Sequence, residues 1–506
     1  MLLPETYQQR RQRLNQEWMA LLDQYCPLHR AEDLWRFSRA ASADDPPQGW
    51  KLHVSATVLN APQIASRCFS YLAVQDVMFK AAASLHVLSE LNSGLKYGFS
   101  QVGKCMTVYA RSAEQALEVG QHLVELTRDF SAPAVPYDLP LAADGCVYYR
   151  YGGFHNIEFE HDGQKMTAIR MPSGKLVPDR RAPGHAVPDW VENPFAVPAT
   201  TQPHPSLLSF PAYDVLSQRG KGGVYRSLDL SSLPIRKCIL KEGRRVGEVT
   251  WDNRDGGELL RHEEWVLRSL HQAGVPVPAV HTAFDIDGHR YLVTEEIEGQ
   301  ALHYQLMNTR RKLPLAQCLH FGWQLVRLVR AIHQAGWVWR DCKPFNVIAT
   351  SQQQLVAIDF EGASRLEEYV DYPWGTPGYM SKRPATAAAP TSNQPEDLYA
   401  LGAALYQLFT SLTPLADTVR KPIGQLRKGI PAPIRQVIHA LLAADWAHRP
   451  ELAQVEQLFN AHLPAQLSSI RQQVEPVSVR QLIVKDDITD YVPNTPHLVL
   501  KRRAVA

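Results

Sequence analysis

The sequence predicts an α+β fold of more than one domain, and three observations carry that expectation. Its 506 residues allow two to four domains, and a composition of 45% apolar and 21% charged residues is that of a globular chain. A proline-rich stretch, residues 182–213, reads as a semi-rigid connector, with Trp190 and Phe195 expected to pack rather than float. On both sides of it, helical and strand-like periodicities alternate.

In front of the connector, Tyr7 to Tyr25 and Ala113 to Leu126 read as helices. Lys51 to Thr57, Cys105 to Ala110 and Cys146 to Tyr151 read as short strands. Alternation in Trp50-Lys51-Leu52-His53-Val54-Ser55 puts Lys51 and His53 on one strand face. Such a cationic pair suits a phosphorylated ligand. Lys80 ends the apolar run Val77-Met78-Phe79, a strand or a helix, and a desolvated amine there has a lowered pKa and can serve as a base. Lys104 and Arg150 add cations on two further expected strands.

Behind the connector, Lys237-Cys238-Ile239-Leu240-Lys241 reads as a strand. Glu263, with Leu267 and Leu270 four and seven residues on, lies on a helix with one apolar face, Glu264 being the fallback for the same role. Arg290 to Thr294 is a strand running into Glu295-Glu296-Ile297-Glu298-Gly299. A helical stretch, Leu325 to Ile332, leads to the loop Trp339-Arg340-Asp341-Cys342-Lys343-Pro344-Phe345-Asn346. The apolar run Leu355 to Ile358 then delivers Asp359-Phe360-Glu361-Gly362. These residue types supply the parts of phosphoryl transfer. Asp341 accepts a hydroxyl proton, Lys343 neutralises the γ-phosphate, and Asn346 with Asp359 holds Mg²⁺. Residues 463–506 read as a tail whose apolar pieces Gln481 to Val484 and Leu498 to Leu500 dock on the body.

The loop and the Asp-Phe segment, in this order and spacing, resemble the catalytic loop and metal-binding Asp of the protein kinase family. The resemblance implies a bilobal fold over 205–462, with an N-lobe at 205–297 and a C-lobe at 298–462. Lys241 would reach the α- and β-phosphates of ATP or another nucleoside triphosphate, paired with Glu263. Backbone groups at Glu295 and Ile297 would meet adenine, with Thr294 behind them. Gly375-Thr376-Pro377-Gly378-Tyr379, Asp397 and Arg449 resemble the peptide-positioning segment, the helix Asp bracing the catalytic loop, and a late structural Arg. Departures accompany the matches. Gly222 fits the third glycine of the phosphate loop, followed by Gly223, but Ser217 and Arg219 stand where the first two glycines would be. Trp339 replaces the usual His, which removes a structural hydrogen bond. Glu361 replaces a Gly, and Lys382-Arg383-Pro384 stands where Ala-Pro-Glu would pair with Arg449. Lys241, Asp341, Asn346 and Asp359 are intact, so an active phosphotransferase is expected.

The leading region, residues 1–200 with the connector at its end, is similar to the N-terminal domain of class III lanthipeptide synthetases. The similarity runs through Gly49 to Thr57, Phe79-Lys80, Leu91-Asn92-Ser93-Gly94, Gly103-Lys104, Tyr149 to Phe154 and Pro178-Asp179-Arg180-Arg181-Ala182-Pro183. In that family this domain is a phosphoserine/phosphothreonine lyase of the phosphothreonine-lyase type, followed by a kinase-like domain. The resemblance implies that Lys80 is the base, His53 the acid on the leaving oxygen, and Lys51 the stabiliser of the developing carbanion. Arg150, Lys104 and Arg181 would bind phosphate. It further implies a substrate peptide with a leader, carrying Ser and Thr. A chain ending at residue 506 without a zinc-ligand set is expected to dehydrate without cyclising, a separate cyclase completing any rings. The alternatives are a Ser/Thr kinase with a regulatory N-terminal module, an effector-like kinase/lyase acting on other proteins, and a scaffold with a dead kinase.

Charge and cysteine usage narrow the partners. A net charge of +2 gives no nucleic-acid footprint. Seven scattered cysteines without a Cys-x-x-Cys pair argue for reduced thiols. With no apolar stretch of membrane length and no signal-peptide core in Met1 to Arg30, no membrane partner is expected and the cytoplasm is the default location.

Overall fold

The computed structural model describes residues 5–29, 33–155, 157–161, 164–196, 204–307, 312–381, 391–415 and 421–463. The chain packs as two units. Of the described residues, one takes those up to Glu258 together with Phe284–Tyr291, and the other takes Leu259–Ala283 and those from Leu292 to residue 463. The first unit thus runs past the proline-rich connector. The Lys382–Pro384 segment and the expected tail pieces lie outside the described residues.

The first unit opens with α1 (Tyr7–Tyr25). Thr6 caps it, its hydroxyl accepting from the Gln9 amide while its own amide donates to the Gln9 side chain. Leu14, Trp18 and Leu22, four apart, form the buried stripe. There follow β1 (Trp35–Phe37), β2 (Gln48–Val54), α2 (Ala61–Leu72), β3 (Met78–Ala82), α3 (Leu85–Ser93), β4 (Met106–Tyr109), α4 (Ala113–Thr127), β5 (Leu139–Pro140) and β6 (Val147–Gly153). The strands form one six-stranded sheet in the order β1-β3-β4-β2-β6-β5, with every neighbouring pair antiparallel. Period-2 alternation gives β2 two different faces. Trp50, Leu52 and Val54 point to the side covered by α4, whose Gly120 lies against Leu52, while Lys51 and His53 point to the other. The strand expected over Lys51 to Thr57 ends at Val54 because Thr57 and Asn60 exchange side-chain and backbone hydrogen bonds and turn the chain into α2.

A second small sheet is built from β7 (Ile157–His161), β8 (Gln164–Arg170) and β9 (Leu176–Pro178). In the connector Phe195 is buried, 4.1 Å from the ring of Tyr149 and edge-on to Trp50 at 5.4 Å, so this part is packed as expected. After α5 (Pro205–Leu208) come the antiparallel strands β10 (Ala212–Arg219), β11 (Gly222–Asp229) and β12 (Arg236–Gly243).

The second unit carries most of α6 (Gly256–Gln272) and the hairpin of β13 (Val280–Ile286) and β14 (His289–Glu295), whose tip belongs to the first unit. The five-stranded sheet runs β10-β11-β12-β14-β13. The chain continues through β15 (Gly299–Ala301), α7 (Leu302–Met307), α8 (Leu315–Gln334), β16 (Trp337–Val338), β17 (Val347–Thr350), β18 (Leu355–Ala357), β19 (Ser364–Arg365), α9 (Gln394–Thr410), α10 (Ile423–Leu426), α11 (Ala432–Leu441) and α12 (Leu452–Ala461). Its core is centred on α8 and α9, where Phe321, Leu325, Val329 and Ile332 are buried with Leu401, Leu405 and Phe409. A Cβ on Gly322 would lie 2.5 Å from the Phe459 ring, so glycine there lets α12 approach α8 closely. The expected α+β architecture, a mixed domain followed by a sheet-rich and then a helical kinase-like region, is the one observed. No helix among the described residues is long and apolar enough to cross a membrane.

Two candidate active sites

The register of the six-stranded sheet assembles the first site. Lys51 stands opposite Arg150 on β6 and Tyr109 on β4, His53 opposite Tyr148 and Thr107, and Lys80 opposite Thr107 and Phe37. Directly paired residues share a face. Residues far apart in sequence therefore meet on the side of the sheet turned away from α4. Lys80 sits in the middle of β3 rather than at the end of a strand or helix. Lys104 is not on a strand; it occupies the turn before β4, where Gly103 takes φ +75°.

These charges are deeply buried, with Lys51, His53, Lys104 and Arg150 all at 8% exposure or less. Arg181, beyond β9, is at the exposed rim. Two carboxylates that the motif reading did not assign a role balance part of the charge. Asp138 Oδ2 lies 2.5 Å from His53 Nδ1, and Asp179 Oδ1 lies 2.5 Å from Arg150 Nη2. Asp179 also accepts from the Gly153 amide. Asp138 lies in the bend Pro136-Tyr137-Asp138, and no periodicity or spacing in the sequence ties it to His53. Asp179 was visible inside a matched motif, but only the structure gives it a partner.

Electrostatics separate the roles these groups can take. Burial, with the positive charges of Arg181 and Lys104, pushes the Lys80 ammonium down to about 7. Its Nζ sits 4.3 Å from the Trp35 ring centroid and 5.9 Å from those of Phe37 and Tyr109. Burial, then Arg150, drives Lys51 well below the usual lysine range. Lys104 falls to about 8, again chiefly by burial. Burial also holds His53 down to about 3, against the pull of Asp138, so its imidazole is neutral at neutral pH. Asp138 stays ionised at about 2. Burial would raise it, but Lys104, His53 and Arg150 outweigh that. Burial thus keeps Lys51 and Lys80 from holding their protons firmly, while Lys104 and Arg150, with Arg181 at the rim, stand against Asp138 and Asp179, an arrangement that a phosphate dianion would complete.

The second site is built on the loop after β16. Asp397 of α9 accepts from the backbone amides of Trp339 and Arg340, at 2.8 and 2.6 Å, and lies 2.9 Å from His333 Nε2. That anchor holds Arg340 at φ +66°. Arg340 reaches the carbonyls of Tyr372 and Val370 and the carboxylate of Glu396. The loop is thereby tied to the segment after Asp359.

Within it, Lys343 Nζ lies 2.5 Å from Asp341 Oδ2 and 2.6 Å from Thr376 Oγ1, and the Thr376 hydroxyl donates to Asp341 Oδ1. Burial raises the Asp341 carboxyl, assisted by Asp359 and opposed by Lys343. Asn346 donates its amide N–H to Asp341, which leaves its carbonyl oxygen as the atom to meet a cation. With the carboxylate of Asp359, this is a hard-oxygen donor set fitting Mg²⁺, which keeps waters and takes its other ligands from phosphates. Asp359 sits at φ +69°. Glu263 is fully buried on α6 and accepts from the Phe360 amide, whereas Glu264 pairs with Arg268 one turn on; Glu263 is thus the one turned toward the Asp-Phe segment.

One expectation needs correcting here. Trp339 does not cost a hydrogen bond: its indole N–H donates to the Asp359 carbonyl at 2.9 Å and its ring stacks on Phe360. Gly220, Gly222 and Gly223 make a tight β10–β11 turn, where a Cβ on Gly222 would meet the Glu242 carbonyl at 1.7 Å and one on Gly223 the Tyr225 hydroxyl at 2.1 Å. At the hinge, the Glu295 amide is donated to Ala279 O and the Glu295 carboxylate accepts from the Ala279 amide; Ile297 follows, half-buried, and Thr294 is buried. Lys241 is half-buried in β12, opposite Val224. Arg449 bonds the carbonyls of Ala443 and Pro395.

The anchored catalytic loop and the second unit's helical core are those of a protein kinase domain, and residues 237–459 match that family. The cation-lined sheet ahead of it falls in residues 26–206, which match the RamC N-terminal domain. This chain therefore joins a RamC-type N-terminal domain to a protein kinase domain, and the resemblance to class III lanthipeptide synthetases is borne out. It is 30% identical to the probable SapB synthase of Streptomyces coelicolor over 417 residues, 78% of this chain and 43% of that protein. The kinase region is similar to serine/threonine-protein kinase pkn3 of Myxococcus xanthus, 27% identical over 40% of this chain and 37% of that protein. It is also similar to serine/threonine-protein kinase PknG of Mycolicibacterium smegmatis, 26% identical over 48% and 30%. The chain spans about two fifths of the SapB synthase it resembles.

Proposed function

We propose that this chain dehydrates Ser and Thr residues of a peptide in two steps, phosphorylation at the kinase site and β-elimination of the phosphate at the sheet site. The observation that carries the reading is the cluster of Lys51, His53, Lys80 and Arg150 on one sheet face, with Lys80 held near neutrality, in a chain that also bears Asp341 and Asp359.

In the first step Asp341 accepts the proton of the substrate hydroxyl as its oxygen bonds to the γ-phosphorus of ATP or another nucleoside triphosphate and the bond to the nucleoside diphosphate breaks. Lys343, braced between Asp341 and Thr376, offsets the phosphoryl charge. Asn346 and Asp359 would hold Mg²⁺, which supplies charge neutralisation at the phosphates. In the second step Lys80, as a neutral amine, removes the Cα proton, and Lys51, whose ammonium form the negative phosphate of the substrate favours, stabilises the enolate-like charge. The Cβ–O bond breaks, and His53 protonates the departing phosphate. Its imidazole is neutral in the empty site; the negative phosphate brought by the substrate favours the imidazolium, and Asp138 fixes Nδ1–H. Arg150, Lys104 and Arg181 hold the phosphate oxygens, Arg through its planar fork. The products are inorganic phosphate and dehydroalanine or dehydrobutyrine. The similarity to a SapB synthase supports a precursor peptide as the substrate.

Mass spectrometry of a Ser/Thr-rich peptide incubated with the protein, Mg²⁺ and ATP tests this. Wild type should yield loss of one water per modified residue, Lys80→Ala and His53→Ala should accumulate phosphopeptide, and Asp359→Asn should leave the peptide unmodified. Dehydration surviving Asp359→Asn would sink the reading. The likeness to serine/threonine kinases supports a second reading, a protein kinase with a regulatory N-terminal module, and stable phosphopeptide from the wild type would favour it.

A further inference from the structure

The β10–β11 turn is not open to solvent on its outer side. The Gly220 amide donates to the carbonyl of Ser93 at 3.2 Å, and a Cβ on Gly220 would lie 1.8 Å from the carbonyl oxygen of Asn92. Asn92 and Ser93 end α3, and Gly94 caps it at φ +71° with Arg219 Cα close by. The Asn92 side chain is buried at 2% exposure and fully used. Its N–H donates to Ala56 O at 2.9 Å, and its oxygen accepts from the Gly103 amide at 3.1 Å. Gly103 precedes Lys104 and is confined, since a Cβ there would meet Ser55 Oγ at 2.9 Å and Pro133 O at 3.0 Å. One residue thus fixes the turn that carries Lys104 and abuts the kinase glycine turn.

A second connection runs in parallel. Arg244, next to the end of β12, braces the same turn by donating its amide to Lys221 O and its guanidinium to Arg219 O and to both oxygens of Glu242. That guanidinium lies 5.2 Å from the Phe99 ring centroid, and Phe99 meets Tyr137 edge-on at 6.2 Å. Tyr137, at φ +69°, immediately precedes Asp138, the partner of His53. Close-packed contacts of this kind transmit displacements.

We propose that Asn92 is a positioning residue for both half-reactions, so that displacement of the Gly220 turn on the kinase side changes phosphopeptide binding at the Lys104 turn. The inference rests on the elimination reading given above. Asn92 touches neither reacting atoms nor nucleotide; it acts through Gly103–Lys104 on one side and Gly220 on the other.

The test uses the full chain and a synthetic phosphothreonine peptide, with phosphate release measured in the absence of nucleotide. Gly220→Ala, whose Cβ pushes from the kinase turn onto the Asn92 carbonyl, should raise KM for the phosphopeptide about fivefold with a smaller change in kcat, a coupling of ordinary size. Asn92→Ala should do at least the same. Mg-ADP added to wild type should shift that KM and should cease to do so in Gly220→Ala. Should Gly220→Ala melt early by circular dichroism, Arg244→Lys provides the second variant, with the same expected shift. Wild-type elimination with an unchanged KM in Gly220→Ala and Arg244→Lys overturns the coupling alone. Absence of elimination in the wild type overturns the reading on which it rests.

Discussion

Lys80 is the base in the elimination proposed above. Its neighbours are aromatic rings and like charges, so its amine is deprotonated near neutral pH, where an exposed lysine is almost wholly charged. The base must be neutral to accept the Cα proton. The kcat/KM for elimination from a phosphopeptide should therefore climb about tenfold per pH unit below 7 and level off above it. A profile flat between pH 5 and 8 would remove Lys80 as the base. The residue types behind this site were legible, because alternation alone put Lys51 and His53 on one face. The carboxylates that pair with them were not. Asp138 meets His53 across 85 residues through a bend whose sequence says only that the chain turns. Burial, the largest influence on every lysine here, is a property of the folded sheet.

Elements were legible where periodicity and capping agreed. The helix expected at Tyr7 to Tyr25 is found with those bounds because Thr6 caps it and its apolar residues recur every four. Lys80 was ambiguous because Val77 to Ala82 is apolar without a period, and only pairing with β1 and β4 decides for a strand. Lys104 was misplaced because the positive φ of Gly103 ends the extended run before β4 begins. In the kinase loop, Trp339 links two elements: its backbone hangs from α9 through Asp397, and its indole holds the carbonyl of Asp359. Trp339→Phe keeps the stacking on Phe360 but loses that bond. It should cost about 1 kcal/mol in stability, and peptide phosphorylation should fall while elimination from a synthetic phosphopeptide stays at the wild-type rate. Equal phosphorylation by Trp339→Phe and wild type would show that the indole does not help hold Asp359.

At the scale of the whole chain, the proposed function puts two chemistries that share one intermediate in one polypeptide, and that placement has a kinetic consequence. On that proposal, phosphopeptide made at the Asp341 site must reach Lys80 before it diffuses away, and a shared chain raises its effective concentration there. Disabling one site in each of two molecules removes that advantage without removing either reaction. A mixture of Lys80→Ala and Asp359→Asn proteins should therefore dehydrate the peptide, more slowly than wild type at equal concentration, with free phosphopeptide appearing first and then declining. The difference should shrink as protein concentration rises, because transfer between molecules is second order and transfer within one is not. Time-resolved mass spectrometry reads both the intermediate and the product. If the mixture yields phosphopeptide that never loses phosphate, although Asp359→Asn alone eliminates phosphate from the same phosphopeptide when it is supplied synthetically, then the intermediate does not leave the molecule that made it. In that case the two sites work by direct transfer.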